Sequence, residues 1–148
     1  IYNQKAVEKG IQLEVDWEKC SVKYPILIGN PVYIGRILAS ILDNAIKFSN
    51  DDSSIQIETT VKNGKVFVSV KDHGTGIPKE SLNKIWDRFY KIDASRGKDR
   101  KGTGLGLSIV KETVEGLGGS VLADYEDGLF TISIRLKKCN QNQDKTVK

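Results

Sequence analysis

The chain has 148 residues and a mass of 16.4 kDa, with 39% hydrophobic and 28% charged residues, which suits one domain with a packed core. Its net charge is +4, from 23 basic and 19 acidic residues; Lys137, Lys138, Lys145 and Lys148 against Asp144 put +3 in the last twelve positions and leave +1 for the rest, too little for a broad nucleic-acid surface. No apolar run approaches the roughly 20 residues that cross a bilayer, no signal peptide opens the chain, and the pair Cys20 and Cys139 makes neither a disulfide framework nor a zinc site, so a reducing, cytosolic setting fits.

Residues 1–9 read as the end of a helix stopped by Gly10. Ile11, Leu13, Val15 and Trp17 alternate and predict a strand with one buried face. Residues 25–28 suggest a second short extended piece. Asn30 and Pro31 then supply a cap and a first helical residue. From about 31 to 48, Ile34, Ile37, Leu38, Ile41, Leu42 and Ala45 recur at helical spacing and predict a helix with a core stripe.

Strands are predicted at about 54–61 and 65–71, joined by Asn63-Gly64, a strong hairpin signal. A glycine-bearing loop covers 72–78, and a short helix is expected at 79–86. Residues 91–103 are charged and lack periodicity, which predicts a mobile loop. A helix follows over 104–117, ended by Gly118-Gly119. Two further strands, about 120–125 and 129–136, meet at Asp127-Gly128, and a polar, disordered tail is expected after them. This order predicts an α+β sandwich, with one mixed sheet covered on one face by helices.

Three constellations carry chemistry. Ser40, Asn44 and Lys47 share one helix face. An amide oxygen there can ligate Mg²⁺ and a lysine one turn on can reach a phosphate, although a solvated flank is the plainer reading of the helix alone. Asp72-His73-Gly74-Thr75-Gly76-Ile77 follows a hydrophobic strand. Its carboxylate can accept from an exocyclic amine such as that of adenine, and a tight turn is the competing reading.

Gly102-Thr103-Gly104-Leu105-Gly106-Leu107 opens a helix, where backbone N–H groups make an anion site. It is not a dinucleotide fingerprint, because Leu107 stands where the third glycine belongs. It is not a P-loop either, because Thr103 and Gly104 follow Gly102 in place of Lys and Ser or Thr. Arg88, Lys91, Arg96, Lys98, Arg100 and Lys101 against Asp93 and Asp99 place +4 just before this motif. A flexible cationic loop over an anion site suits a triphosphate lid; a solvated loop is the alternative.

In this order the motifs resemble the catalytic, ATP-binding domain of sensor histidine kinases, in the superfamily that also contains gyrase, Hsp90 and MutL. Residues 36–48 are similar to the N box, 72–77 to the G1 box, 85–90 to the F box and 102–110 to the G2 box. The resemblance implies a two-layer Bergerat sandwich with a mobile ATP lid, over residues 11–136. Residues 1–10 would be a remnant of the linker from a dimerisation and histidine-phosphotransfer domain, and 137–148 a disordered basic tail.

The resemblance also implies roles. Asn44 would ligate Mg²⁺, and Asp72 would bind the adenine amine in a pocket shaped by Gly74, Gly76 and Ile77. Lys47 and Arg88 would contact phosphates, with Phe48 and Tyr90 against the nucleotide and Trp86 and Phe89 anchoring the lid. Lys101, Gly102, Thr103, Gly104, Leu105, Gly106 and Leu107 would form the hinge and phosphate cradle. Catalysis would rest on Asn44, Lys47 and Arg88.

Ser40 departs from the family's usual second asparagine and could still reach a metal-bound water. The glutamate with which ATP-hydrolysing relatives activate water is absent there. The single histidine, His73, lies in the nucleotide loop, so the acceptor histidine is expected on the companion domain. Expected partners are therefore that domain and, indirectly, a response regulator, with no nucleic acid and no direct membrane contact. The domain is expected to be monomeric and cytoplasmic, within a membrane-anchored bacterial sensor kinase. Alternatives are a nucleotide-sensing regulatory domain with weak kinase activity, and an anti-sigma-like serine kinase.

Overall fold

A computed structural model describes residues 2–16, 31–74, 76–91 and 105–137. Helix α1 spans Tyr2–Glu8 and strand β1 Gln12–Asp16. The long helix α2, Pro31–Phe48, leads to β2, Ser54–Lys62, and β3, Lys65–Asp72. Two 3₁₀ turns, Lys79–Ser81 and Lys84–Trp86, precede α3, Gly106–Gly116. Strands β4, Ser120–Glu126, and β5, Leu129–Lys137, close the fold.

The five strands form one mixed sheet in the order β1-β2-β3-β5-β4. β1 runs parallel to β2, while the other pairs are antiparallel. The parallel pair needs a crossover, and α2 lies within it. Helices α2 and α3 pack on each other, α2 on β3 and α3 on β4 and β5. The core lies between the helices and the sheet: Ile37, Ile41 and Ala45 of α2 and Val110 and Val114 of α3 meet Ile55, Val70, Ile132, Ile134 and Leu136. The other sheet face carries polar pairs, a Ser69–Ser133 hydroxyl pair at 2.9 Å and a Lys71–Glu58 ion pair at 2.8 Å. This is the expected α+β sandwich, covered by helices on one face.

Both hairpins turn where the sequence places them. Asn63 and Gly64 have φ of 53° and 70°, and Asp127 and Gly128 have 51° and 79°. Positive φ at both central residues suits the right-handed twist of the flanking strands. Gly10, at φ 65°, ends α1 as expected.

Three local expectations are corrected. The helix expected at 79–86 is instead a pair of 3₁₀ turns. The burial of Ser81, Ile85 and Trp86 follows this tighter winding, and no side-chain cap starts either turn. In β1 the predicted buried face is incomplete: Ile11 is buried and Leu13 packs on the core, but Val15 is 43% exposed. β1 pairs only with β2 within this sheet, so its far end has less to pack against. Helix α3 begins at Gly106 rather than 104. Trp17, residues 25–28, Asn30, both cysteines, the charged loop at 92–104 and the tail after 137 lie outside the described residues.

Ile134 is 1% exposed at the centre of the sheet. Ile134→Ala is expected to cost about 2–5 kcal/mol, the range for a buried isoleucine truncated to alanine. Urea denaturation measures it, and a loss under about 1 kcal/mol would mean the sheet centre is not packed as described.

Candidate functional site

The site forms where α2 hands the chain back towards the sheet. Ser40 and Asn44 are half-buried, while Lys47 and Phe48 are exposed at the C-terminal end. The Lys47 ammonium lies 5.0 Å from the Phe48 ring centroid, in cation–π range. Ser49 then closes the helix: its N–H and its hydroxyl both donate to the Ala45 carbonyl, at 2.9 and 2.6 Å.

Ser49 next bridges to Gly74, antiparallel, and the Asn50 N–H donates to the His73 carbonyl at 2.9 Å. The end of α2 is thus stitched to the loop that follows β3. Two motifs about 25 residues apart in sequence meet through backbone, so side-chain rotamers cannot undo their register.

Asp72, the last residue of β3, is 3% exposed. Burial pushes its carboxyl up to about 7, and the charge of Lys9 partly opposes that rise. A carboxylate in this position can accept from an incoming donor. Gly74 is glycine for want of space. A Cβ there would stand 2.6 Å from the Phe48 carbonyl oxygen and 3.0 Å from Asp72 Oδ1. Gly76 has φ 81°, and a Cβ would fall 2.6 Å from Tyr125 Oη and 2.7 Å from Cζ. Tyr125 of β4 therefore buttresses the loop from below. Ile77, beside it, packs on the core.

The segment after the 3₁₀ turns divides in two. Trp86 is buried and Tyr90 packs on the core, but Phe89 is 71% exposed at φ 62°. Trp86 is thus held in the body of the domain and Phe89 faces outwards; the lid that both were expected to anchor lies outside the described residues. Arg88 reaches Glu112 of α3, with Nη2 and Nε donating to the same carboxylate oxygen at 2.7 and 3.2 Å. That hydrogen bond holds the guanidinium's pKa above its ordinary value. At the start of α3, Leu105 and Leu107 are half-buried, Gly106 is exposed, and the Ser108 hydroxyl donates to the Leu105 carbonyl at 2.8 Å.

The structure therefore brings Lys47, Phe48, Asp72, Gly74, Gly76 and Ile77 to one end of α2. Arg88 is engaged with α3 instead. Lys101, Gly102, Thr103 and Gly104 lie outside the described residues. Tyr125, Lys9 and Glu112 were missed by sequence reasoning. The alternation of Val121, Ala123 and Tyr125 marks a face for the tyrosine but not the loop it supports. Among the described residues no three His, Cys, Asp or Glu side chains gather into a metal cluster. None of the described helices is long and apolar enough to cross a membrane.

The family described as "Histidine kinase-, DNA gyrase B-, and HSP90-like ATPase" matches residues 29–140, which include both the α2 motif and the Asp72 loop. The chain belongs to this family. Within it, the chain resembles the kinase branch. It is 40% identical over 96 residues to the signal transduction histidine-protein kinase ArlS of Staphylococcus haemolyticus (strain JCSC1435), covering 65% of this chain and 21% of that protein. It is 38% identical over 114 residues to the sensor histidine kinase WalK of Bacillus subtilis (strain 168), covering 75% of this chain and 19% of that protein. Among solved structures, full-length ShkA in complex with AMPPNP superposes with a TM-score of 0.78 at 25% identity, over 93% of this chain and 27% of that one. The chain thus spans about a fifth of the length of these curated relatives. Its fold is the ATPase sandwich of histidine-kinase catalytic domains.

Proposed function

We propose that the chain binds Mg-ATP and presents the γ-phosphoryl group to a histidine on a separate dimerisation domain, for two-component signalling. The observation that carries this reading is the Ser49–Gly74 bridge, which sets the polar end of α2 beside a buried carboxylate. The kinase relatives and the AMPPNP-bound neighbour support it.

Each residue then has a task. Asp72 accepts the adenine amine, and Gly74 and Gly76 let the base approach the backbone. Phe48 covers one side of the nucleotide, and Lys47 exchanges its ring contact for a phosphate. Arg88 turns from Glu112 to the phosphates; an exposed ion pair in water opposes that exchange weakly. Lys101 to Leu107 cradle the phosphates at the start of α3. The donor set fits Mg²⁺, which commonly takes one or two protein oxygens and fills its shell with phosphate oxygens and water. Asn44 would hold it, with Ser40 on a bound water, and the ion would neutralise charge on the transferring phosphoryl group. The acid–base chemistry at the accepting histidine belongs to the companion domain, with a response regulator as the eventual recipient. A cytoplasmic location follows from this role.

Calorimetric titration with a non-hydrolysable ATP analogue, with and without Mg²⁺ and beside GTP, is the direct test. Adenine-selective binding strengthened by Mg²⁺ is expected, followed by labelling of an added histidine-domain fragment. Folded protein that ignores the analogue would remove the proposal.

A further inference from the structure

Lys9 stands in the turn between α1 and β1, outside every nucleotide motif in the sequence. Its backbone carbonyl accepts from the Asp52 N–H at 2.9 Å, so the turn lies against the loop that follows α2. Its ammonium reaches the end of α2. There it donates to the carbonyls of Ile46 at 2.9 Å, Lys47 at 3.2 Å and Ser49 at 2.8 Å. The Asp51 carboxylate lies 4.0 Å away. Three donors thus meet three carbonyls at a helix end, where such groups lack intrahelical partners and carry the negative pole of the dipole. One of the three, Ser49, is the residue whose backbone bridges to Gly74. Lys9 is also the charge that acts on Asp72.

We infer that Lys9 is a positioning residue for nucleotide binding: one ammonium holds the last turn of α2, with Lys47 and Phe48, together with Ser49, whose backbone bridges to Gly74 just after Asp72. The inference rests on the nucleotide reading above. It gives α1 a role beyond packing. Ala6 is buried in the core and Lys5 lies 3.6 Å from Asp43 of α2, so a shift of α1 moves the clamp directly.

Other charged or titratable groups on the neighbouring elements are Lys47 at the end of α2, Asp51 and Asp52 in the next turn, and His73 beside Asp72. Of these and Lys9, only Lys9 moves the Asp72 carboxyl. Removing it should therefore raise the pH at which Asp72 ionises, an effect that looser packing alone does not produce.

The test compares wild type, Lys9→Met and Lys9→Arg as whole chains. Amide exchange is followed without nucleotide, and binding of the Mg²⁺-saturated, non-hydrolysable ATP analogue is titrated across pH 6–8.5. For Lys9→Met the Ser49 amide is expected to exchange about tenfold faster while β5 amides hold, because a cap alone is lost. Analogue affinity should fall about tenfold and its pH midpoint should rise. Lys9→Arg should restore the midpoint.

Lys9→Met matching wild type in exchange, affinity and midpoint overturns the inference. So does lost affinity with an unmoved midpoint and no rescue by arginine, which marks plain structural damage. Should Lys9→Met fail to fold, Lys9→Gln keeps N–H donors without charge; its midpoint should rise, and an unmoved one overturns the inference. Wild type that does not bind the analogue overturns the nucleotide reading and this inference together.

Discussion

Asp72→Asn is expected to give a chain that melts higher and binds nucleotide worse. The carboxyl is pushed up to about 7 from an ordinary 3.8 by burial. The folded state thus keeps a proton between those pH values that the unfolded chain has released. The group's contribution to stability is greatest below the unfolded pKa and is lost as pH rises through the folded one. At 1.36 kcal/mol per unit the cost above pH 7 is about 4 kcal/mol at most, and roughly 2 after allowing for screening by nearby solvent. Asparagine has nearly the same shape and never ionises. At pH 8 the variant should melt about 4–8 °C higher, on 2–4 °C per kcal/mol for a chain of this size. At pH 4 the two proteins should melt together. Affinity for the ATP analogue should fall about 10–100-fold, since an amide can turn its NH₂ towards the adenine amine and a hydrogen bond to a charged acceptor is lost. A variant that binds normally would take Asp72 out of the adenine site.

The same carboxylate makes binding depend on pH. Adenine's amine needs an acceptor, and a carboxylate accepts more strongly than the protonated acid, so the ionised form is expected to bind better. Below pH 7 affinity should climb up to about tenfold per unit, and above it the curve should flatten. Calorimetry in buffers of different ionisation enthalpy should show a proton released on binding at pH 6 and almost none at pH 8. Asp72→Asn supplies the background, because its residual slope belongs to the phosphates. Parallel profiles for both proteins would separate the carboxyl from binding.

The features legible in the sequence were those fixed locally. Asn63-Gly64 and Asp127-Gly128 announce hairpins because backbone chirality selects those residues at positive φ, whatever packs around them. The apolar stripe of α2 is legible because helical spacing repeats over 18 residues. The parallel pairing of β1 with β2 left no such mark, since alternation names a face and not a neighbour. The site divides in the same way. Asp72, Gly74 and Lys47 were recognised by type and order. Lys9 was not, because its bonds cross 37 to 40 residues and its ordinary place after α1 says nothing of them. Tyr125 escaped for the same reason. Arg88 was expected on phosphate and is found on Glu112, a contact across 24 residues that its place in the sequence does not announce.

Gly74→Ala is expected to be the most damaging single-methyl change in the site, and comparison with Gly76→Ala shows why. Gly74 has no positive φ, so alanine suits its backbone and the entire cost is steric. The added carbon would stand 2.6 Å from the Phe48 carbonyl oxygen, 3.3 Å from its carbon and 3.0 Å from Asp72 Oδ1. None of these is the free end of a flexible chain. Two belong to the last residue of α2, and the third to the buried carboxylate. The loop can accept the methyl only by leaving the helix, which breaks the Ser49–Gly74 bridge and the Asn50–His73 bond. A loss of about 2–4 kcal/mol is expected, with binding reduced about a hundredfold, because the change both overpacks the site and moves Asp72 away from Lys47. Gly76→Ala meets a tyrosine ring and carries φ 81°. Its cost is mostly backbone strain, about 1–3 kcal/mol. Adding Tyr125→Leu should therefore recover only the steric part. Hydrogen exchange at Asn50 distinguishes the two: protection should collapse in Gly74→Ala and persist in Gly76→Ala. A Gly74→Ala chain with native melting and native affinity would mean that α2 and the Asp72 loop work without being held together.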